Sequence, residues 1–146
     1  MPADSKRQIA QTMPAVARGW RVLADRVLAE FGVSTSMAWC LIYLERLGPD
    51  ARQIDLAQAI GISQPSTVRV IDQLEAIGLL ARVRDRDDKR SNRIVLTEAG
   101  AAKHSQIEAR LSELRDTLFR ELDPADIHAT MRVLDVLAER ISDLRL

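Results

Sequence analysis

The run LAQAIGISQPSTVRVIDQLEAIGLLARVRDRDDKRSNRIVLTEAG, residues 56–100, decides the fold. It opens on two short helical patterns. In the first, beginning at Gln53, Leu56, Ala57 and Ile60 share one side and Gly61 stops the helix. Ser63 then serves as a cap, and Pro65 falls in a first turn that tolerates it. In the second pattern Val68, Ile71, Leu74 and Glu75 are expected on one side, and Gly78 closes the helix. Residues 79–84 and 93–97 are rich in β-formers and flank the polar segment DRDDKRSN, which makes a hairpin. Between positions 82 and 93 lie nine charged side chains, six cationic and three acidic, a local net charge of +3.

That local excess stands out because the chain of 146 residues has 21 basic and 21 acidic side chains and no formal net charge. Any nucleic-acid footprint must therefore be local. The length suits one ordinary domain, and 47% hydrophobic with 29% charged residues is the balance of a folded chain. A single cysteine, Cys40, excludes an intrachain disulfide and a multi-cysteine zinc site. With no stretch of about 18 apolar residues and no apolar leader, neither a membrane partner nor export is expected, and the simplest address is the cytoplasm.

Outward from the central run, both ends read as helix. Met13, Val16, Trp20, Leu23, Val27 and Phe31 recur at steps of three or four. Pro14 suits a helix interior poorly, so the main helix is expected to begin near Thr12, after a loose or kinked arm, and to end at Gly32. Ser34 caps a second helix that stops at LGPD and is apolar around much of its girth, hence central and buried. Ile107, Leu111, Leu114 and Leu118 form a heptad-like seam. A last helix, capped by Asp123 with Pro124 at its first position, follows through Ile127, Met131, Leu134, Leu137, Ile141 and Leu144. These terminal seams either wrap each other or pair with a second subunit.

Short helix, turn, helix and hairpin is the order of a winged helix-turn-helix. Its first helix braces the second, whose outer face enters a DNA major groove. That outer face, opposite Ile71, is expected to carry Ser66, Arg69, Gln73 and Ala76, with Pro65 and Val70 beside it. Gln64 and Thr67 complete the candidate contacts. Arg69 can donate two hydrogen bonds to a guanine edge. The hairpin, or wing, offers Arg84, Arg86, Lys89, Arg90 and Arg93 to a minor groove or to phosphates, with Asp88 orienting Arg90. A mixed-charge, merely solvated hairpin tip is the plain alternative.

The same run resembles the core of the MarR family of bacterial transcription regulators. The family pattern of Asp, any residue, Arg, then Leu-Thr and a nearby glycine is matched by Asp88, Arg90, Leu96, Thr97 and Gly100. The exit from its recognition helix is matched by Leu74, Glu75, Gly78 and Leu79. Two departures are Arg86, where proline is common, and Lys89, where arginine is common; neither removes a cation. The match covers residues 54–100. The resemblance implies a mainly α, winged helix-turn-helix fold in the order α-α-α-α-β-β-α-α, with room for a short extra strand before the third helix. It implies one domain over residues 1–146, with dimerisation helices at 1–33 and 101–146 around a DNA-binding lobe at 34–100. The implied function is a homodimeric, effector-responsive repressor on an inverted-repeat operator in double-stranded DNA.

It also places an effector pocket near the first two helices, where Trp20, Trp39 and Tyr43 with the cation of Arg18 would suit a small aromatic acid; core packing is the alternative use of those rings. Some relatives sense peroxides through a cysteine near the start of the first helix, whereas Cys40 lies in the second and reads as a small buried hydrophobe. His104 and His128 lack metal spacing, and no catalytic constellation or phosphate loop is present, so no cofactor, metal or enzymatic activity is expected. A helical adaptor without DNA binding, and a winged helix for RNA or protein, are the competing functions.

Overall fold

The structure is a computed structural model that describes residues 3–85, 87 and 92–145. In chain order its elements are α1 (Ala3–Leu28), a short 3₁₀ turn (Ala29–Phe31), α2 (Thr35–Leu47), α3 (Gln53–Ile60), α4 (Gln64–Ala76), β1 (Leu80–Arg84), β2 (Asn92–Leu96), α5 (Glu98–Leu118) and α6 (Pro124–Leu144). This is the expected order and class.

Local chemistry explains most of the boundaries. The Ser34 and Ser63 hydroxyls accept from the backbone N–H groups of Met37 and Ser66, and the Asp123 carboxylate accepts from that of Ala125. Each satisfies a donor that the first helical turn leaves open. Gly32 and Gly61 end their helices at φ of 71° and 77°, in the left-handed region that glycine enters without steric cost.

One boundary differs from expectation. α1 is continuous from Ala3 through Pro14, without a separate arm. Proline removes the hydrogen bond to the carbonyl four residues back and crowds it with its ring; here Ala10 and its surroundings are exposed, so that carbonyl can tilt outward and be taken by water.

Residues 1–112 and 113–146 form two compact units. In the first, α2 is the central helix, as expected, with Ala38, Trp39, Cys40, Leu41, Ile42 and Leu44 buried. Around it pack Ala24 and Leu28 of α1, Leu56 of α3, Ile71 and Leu74 of α4, Leu80 and Ile94 of the hairpin, and Ile107 and Leu111 of α5. Burial stabilises each large aliphatic side chain by about 1.5–3 kcal/mol. Strands β1 and β2 pair antiparallel, from Leu80 opposite Leu96 to Arg84 opposite Asn92. The extra strand shrinks to one bridge between Arg52 and Arg93, sealed where the Ile94 N–H donates to the Ala51 carbonyl at 2.7 Å.

The start of α5 approaches the end of α4 closely. A Cβ on Gly100 would lie 1.8 Å from the Leu79 carbonyl oxygen. The Thr97 hydroxyl donates to the Gly78 carbonyl at 2.6 Å and accepts from the Gly100 N–H at 3.0 Å, and the Thr97 N–H donates to Leu79. This is the physical content of the Leu-Thr-x-x-Gly pattern: a helix cap that also clasps the exit of α4.

In the second unit, α6 exposes Met131, Val133, Leu134, Val136, Ile141 and Leu144. Phe119 and Leu122, before it, join Ile127, Met131 and Leu134 around an apolar hollow of about 350 Å³.

Candidate nucleic-acid interface

Helix α4 has a buried face and an outer face, rotated slightly from the expected one. Thr67, Val70, Ile71 and Leu74 are buried, whereas Val68 is half-buried and Glu75 exposed. Thr67 and Val70 were expected among the DNA contacts, and the structure corrects both. Thr67 is fully buried and donates its hydroxyl to the Ser63 carbonyl at 2.9 Å, and Val70 joins the core. Both belong to the supporting side of the helix.

The outer face keeps Gln64, Arg69 and Gln73, all exposed, and Ser66, half-exposed. Ser66 accepts a hydrogen bond from the Ser63 hydroxyl at 2.9 Å, which leaves its own proton available to donate outward. Among the described residues no hydrogen bond or ion pair engages Arg69. Its neighbour Asp72, one turn on, pairs instead with Arg82 at 2.5 Å, and Arg82 also holds Glu75 at 2.8 Å.

The wing divides into an anchored base and a tip. Arg84 is exposed at the end of β1. Arg93, expected to face DNA, turns toward the body, where its guanidinium donates to the Pro49 carbonyl at 3.3 Å and lies 3.7 Å from the Asp50 carboxylate. The Arg52–Arg93 bridge brings these groups together, a tertiary pairing that the local sequence does not announce. Arg86, Asp88, Lys89 and Arg90 lie outside the described residues.

At the wing base Asp85 is nearly buried. It accepts from the Asp87 N–H at 3.1 Å and from the Arg52 guanidinium at 2.6 Å. The Asp87 amide above all, and the charge of Arg52, hold its carboxyl below the usual aspartate range against the opposing effect of burial. The wing is thereby fastened to the chain entering α3.

Arg52, Gln53, Gln64, Arg82 and Asn92 line a groove of about 360 Å³, with Ile54 and Ile94. Of these polar residues, Arg52, Gln53, Arg82 and Asn92 were absent from the sequence-based set. Polarity at the start of α3 was the only local signal, and it does not separate a groove wall from ordinary surface.

The proposed effector residues take a different arrangement. Trp39 is nearly buried, its indole N–H donates to Asp25 at 2.7 Å, and the guanidinium over its ring, at 4.0 Å, belongs to Arg21 rather than Arg18. Tyr43 lies 6.1 Å from Trp39 between ring centroids, and Trp20 is half-buried against the core. Arg18 is exposed. Burial pushes the Cys40 thiol up to about 12, so it stays protonated and poorly nucleophilic at neutral pH.

A braced helix with a polar outer face, followed by a hairpin fastened beside it, defines a winged helix-turn-helix protein. Comparison with known proteins narrows this class. The MarR family pattern matches residues 38–91. The crystal structure of transcriptional regulator PA3341 is similar to this chain at a TM-score of 0.82 and 27% identity, covering 92% of this chain and 98% of that one. A MarR transcriptional regulator from Methanosarcina mazei Go1 shares the fold at a TM-score of 0.77 and 23% identity, with coverage of 94% and 99%. The transcriptional regulator BldR from Sulfolobus solfataricus shares it at 0.78 and 22%, with coverage of 96% and 99%. Residues 38–91 thus resemble the MarR family, and the chain as a whole has the fold of winged helix-turn-helix transcriptional regulators.

Proposed function

We propose that the protein is a homodimeric repressor that places α4 of each subunit in a major groove of an inverted-repeat operator. Residues 34–100 would form the DNA-binding lobe, and 1–33 with 101–146 the dimerisation helices of one functional domain. The observation that carries this reading is Arg69, exposed and uncommitted on the outer face of a helix whose opposite face is buried. A guanidinium so placed can meet guanine O6 and N7. Gln64, Ser66 and Gln73 flank it, and Arg84, with Arg86, Lys89 and Arg90 oriented by Asp88, would supply the wing contacts. Support for assembly comes from the apolar residues that α6 exposes and from Ile9, Met13 and Val16 on α1. The effector reading is kept for the half-buried rings of Trp20 and Tyr43, which a small aromatic ligand could stack on.

Arg69→Ala is expected to cost about 1–3 kcal/mol on the operator and much less on unrelated DNA. Anisotropy titrations of both duplexes at one fixed salt concentration measure this, since phosphate contacts alone make affinity fall steeply with salt. A variant that prefers its operator as strongly as the parent does removes Arg69 from base reading and shifts specificity to Ser66 or DNA shape.

A further inference from the structure

We propose that Arg82 is a positioning residue for DNA reading: by engaging Asp72 and Glu75 it keeps the carboxylate beside Arg69 neutralised and Arg69 free. The inference rests on the DNA-binding role proposed for α4. By sequence, Arg82 belongs to the cationic hairpin, and the simplest expectation would make it a phosphate contact. The structure turns it the other way. Its side chain is only 23% exposed, and its two terminal nitrogens reach different carboxylates of α4, Asp72 at 2.5 Å and Glu75 at 2.8 Å. Glu75 also accepts from the Arg82 backbone N–H at 3.3 Å, so the strand and its side chain grip the same residue.

Asp72 follows Arg69 by three positions, a spacing at which side chains of a helix meet. Without Arg82, Asp72 can pair with Arg69 and would face DNA as an uncompensated negative charge. The helical pair is weak in water. The larger effect arises when a seated α4 excludes water, because charges interact more strongly in the lower dielectric of an interface. That penalty applies fully only in the close, specific complex, so it lowers discrimination as well as affinity. Arg82 has a planar fork able to serve two carboxylates at once, which a lysine ammonium does less well.

The test uses full-length protein and two duplexes: an inverted repeat that the parent enriches from random-sequence DNA, and a scrambled duplex of the same length. Arg82→Ala is expected to lower the affinity ratio between them about tenfold. Adding Asp72→Asn to that variant should restore the ratio to within about twofold of the parent, and adding Glu75→Gln should not. An Arg82→Ala protein that keeps the parental ratio overturns the proposal, and so does a folded double variant that Asp72→Asn fails to rescue. Should Arg82→Ala not fold, the side-chain Nε–H resonances of the parent decide: Asp72→Asn alone should shift that of Arg82 and leave that of Arg69 in place. A shift confined to Arg69 overturns the proposal. A parent that enriches no site instead defeats the DNA-binding reading itself, whatever the resonances show.

Discussion

Gly100→Ala is expected to be among the most destabilising single-methyl changes in this chain. The added Cβ would stand 1.8 Å from the Leu79 carbonyl oxygen, which is backbone and cannot rotate away. Either α5 lifts off the exit of α4 or the Thr97 clasp on Gly78 and Leu79 opens. In an exposed helix interior the same change would stabilise by up to about 1 kcal/mol through propensity. Here overpacking opposes it, at the top of the ~1–3 kcal/mol range for crowded cores or above it. At about 2–4 °C per kcal/mol for chains near this size, Tm should fall by roughly 10 °C. Thermal unfolding at a fixed protein concentration checks this, because any self-association makes Tm concentration-dependent. An unchanged Tm would mean that the α4–α5 approach is looser than the structure has it.

The second large effect concerns assembly. Met131 and Leu134 lie one turn apart on α6 and are 52% and 42% exposed in the single chain. Introducing Met131→Asp and Leu134→Asp together should therefore spare the fold of the subunit. In a two-fold interface each substitution appears twice, and each buried carboxylate costs several kcal/mol without a partner. The dimer dissociation constant should rise by at least about 10³-fold, as sedimentation would show. Operator binding should fall with it by about 10²–10⁴-fold, because two linked half-site contacts become separate events. A doubly substituted protein that still sediments as a dimer would move the interface away from this face of α6.

How far these features could be read from the sequence depended on how local their causes are. Ser34, Ser63 and Asp123 cap their helices through atoms two or three residues away, and sequence spacing alone located them. The hairpin was legible for the same reason. What failed was orientation. The buried side of α4 passes through Thr67 and Val70 rather than Val68 and Glu75, because α2, α3 and the strands set its rotation. Arg82 counted only as positive charge in the hairpin, and Arg93 was expected to meet DNA. Their partners, Asp72 and Glu75 on α4 and Pro49 and Asp50 before α3, are fixed by how the wing folds back. The cation over Trp39 is Arg21, about a turn from the Arg18 expected to serve an effector, and only the packing of α1 on α2 selects it. Pro14 shows the opposite limit, where a strong local rule yielded because its surroundings are exposed.

The central claim, a dimer reading an inverted repeat through paired α4 helices, is tested most directly by selection from a pool of random duplex DNA with the purified protein at physiological salt. The account predicts enrichment of a two-fold-symmetric sequence with half-site centres about 10 base pairs, or a multiple of that, apart. An enriched pool with no symmetric motif, or no enrichment over the starting DNA, would contradict it.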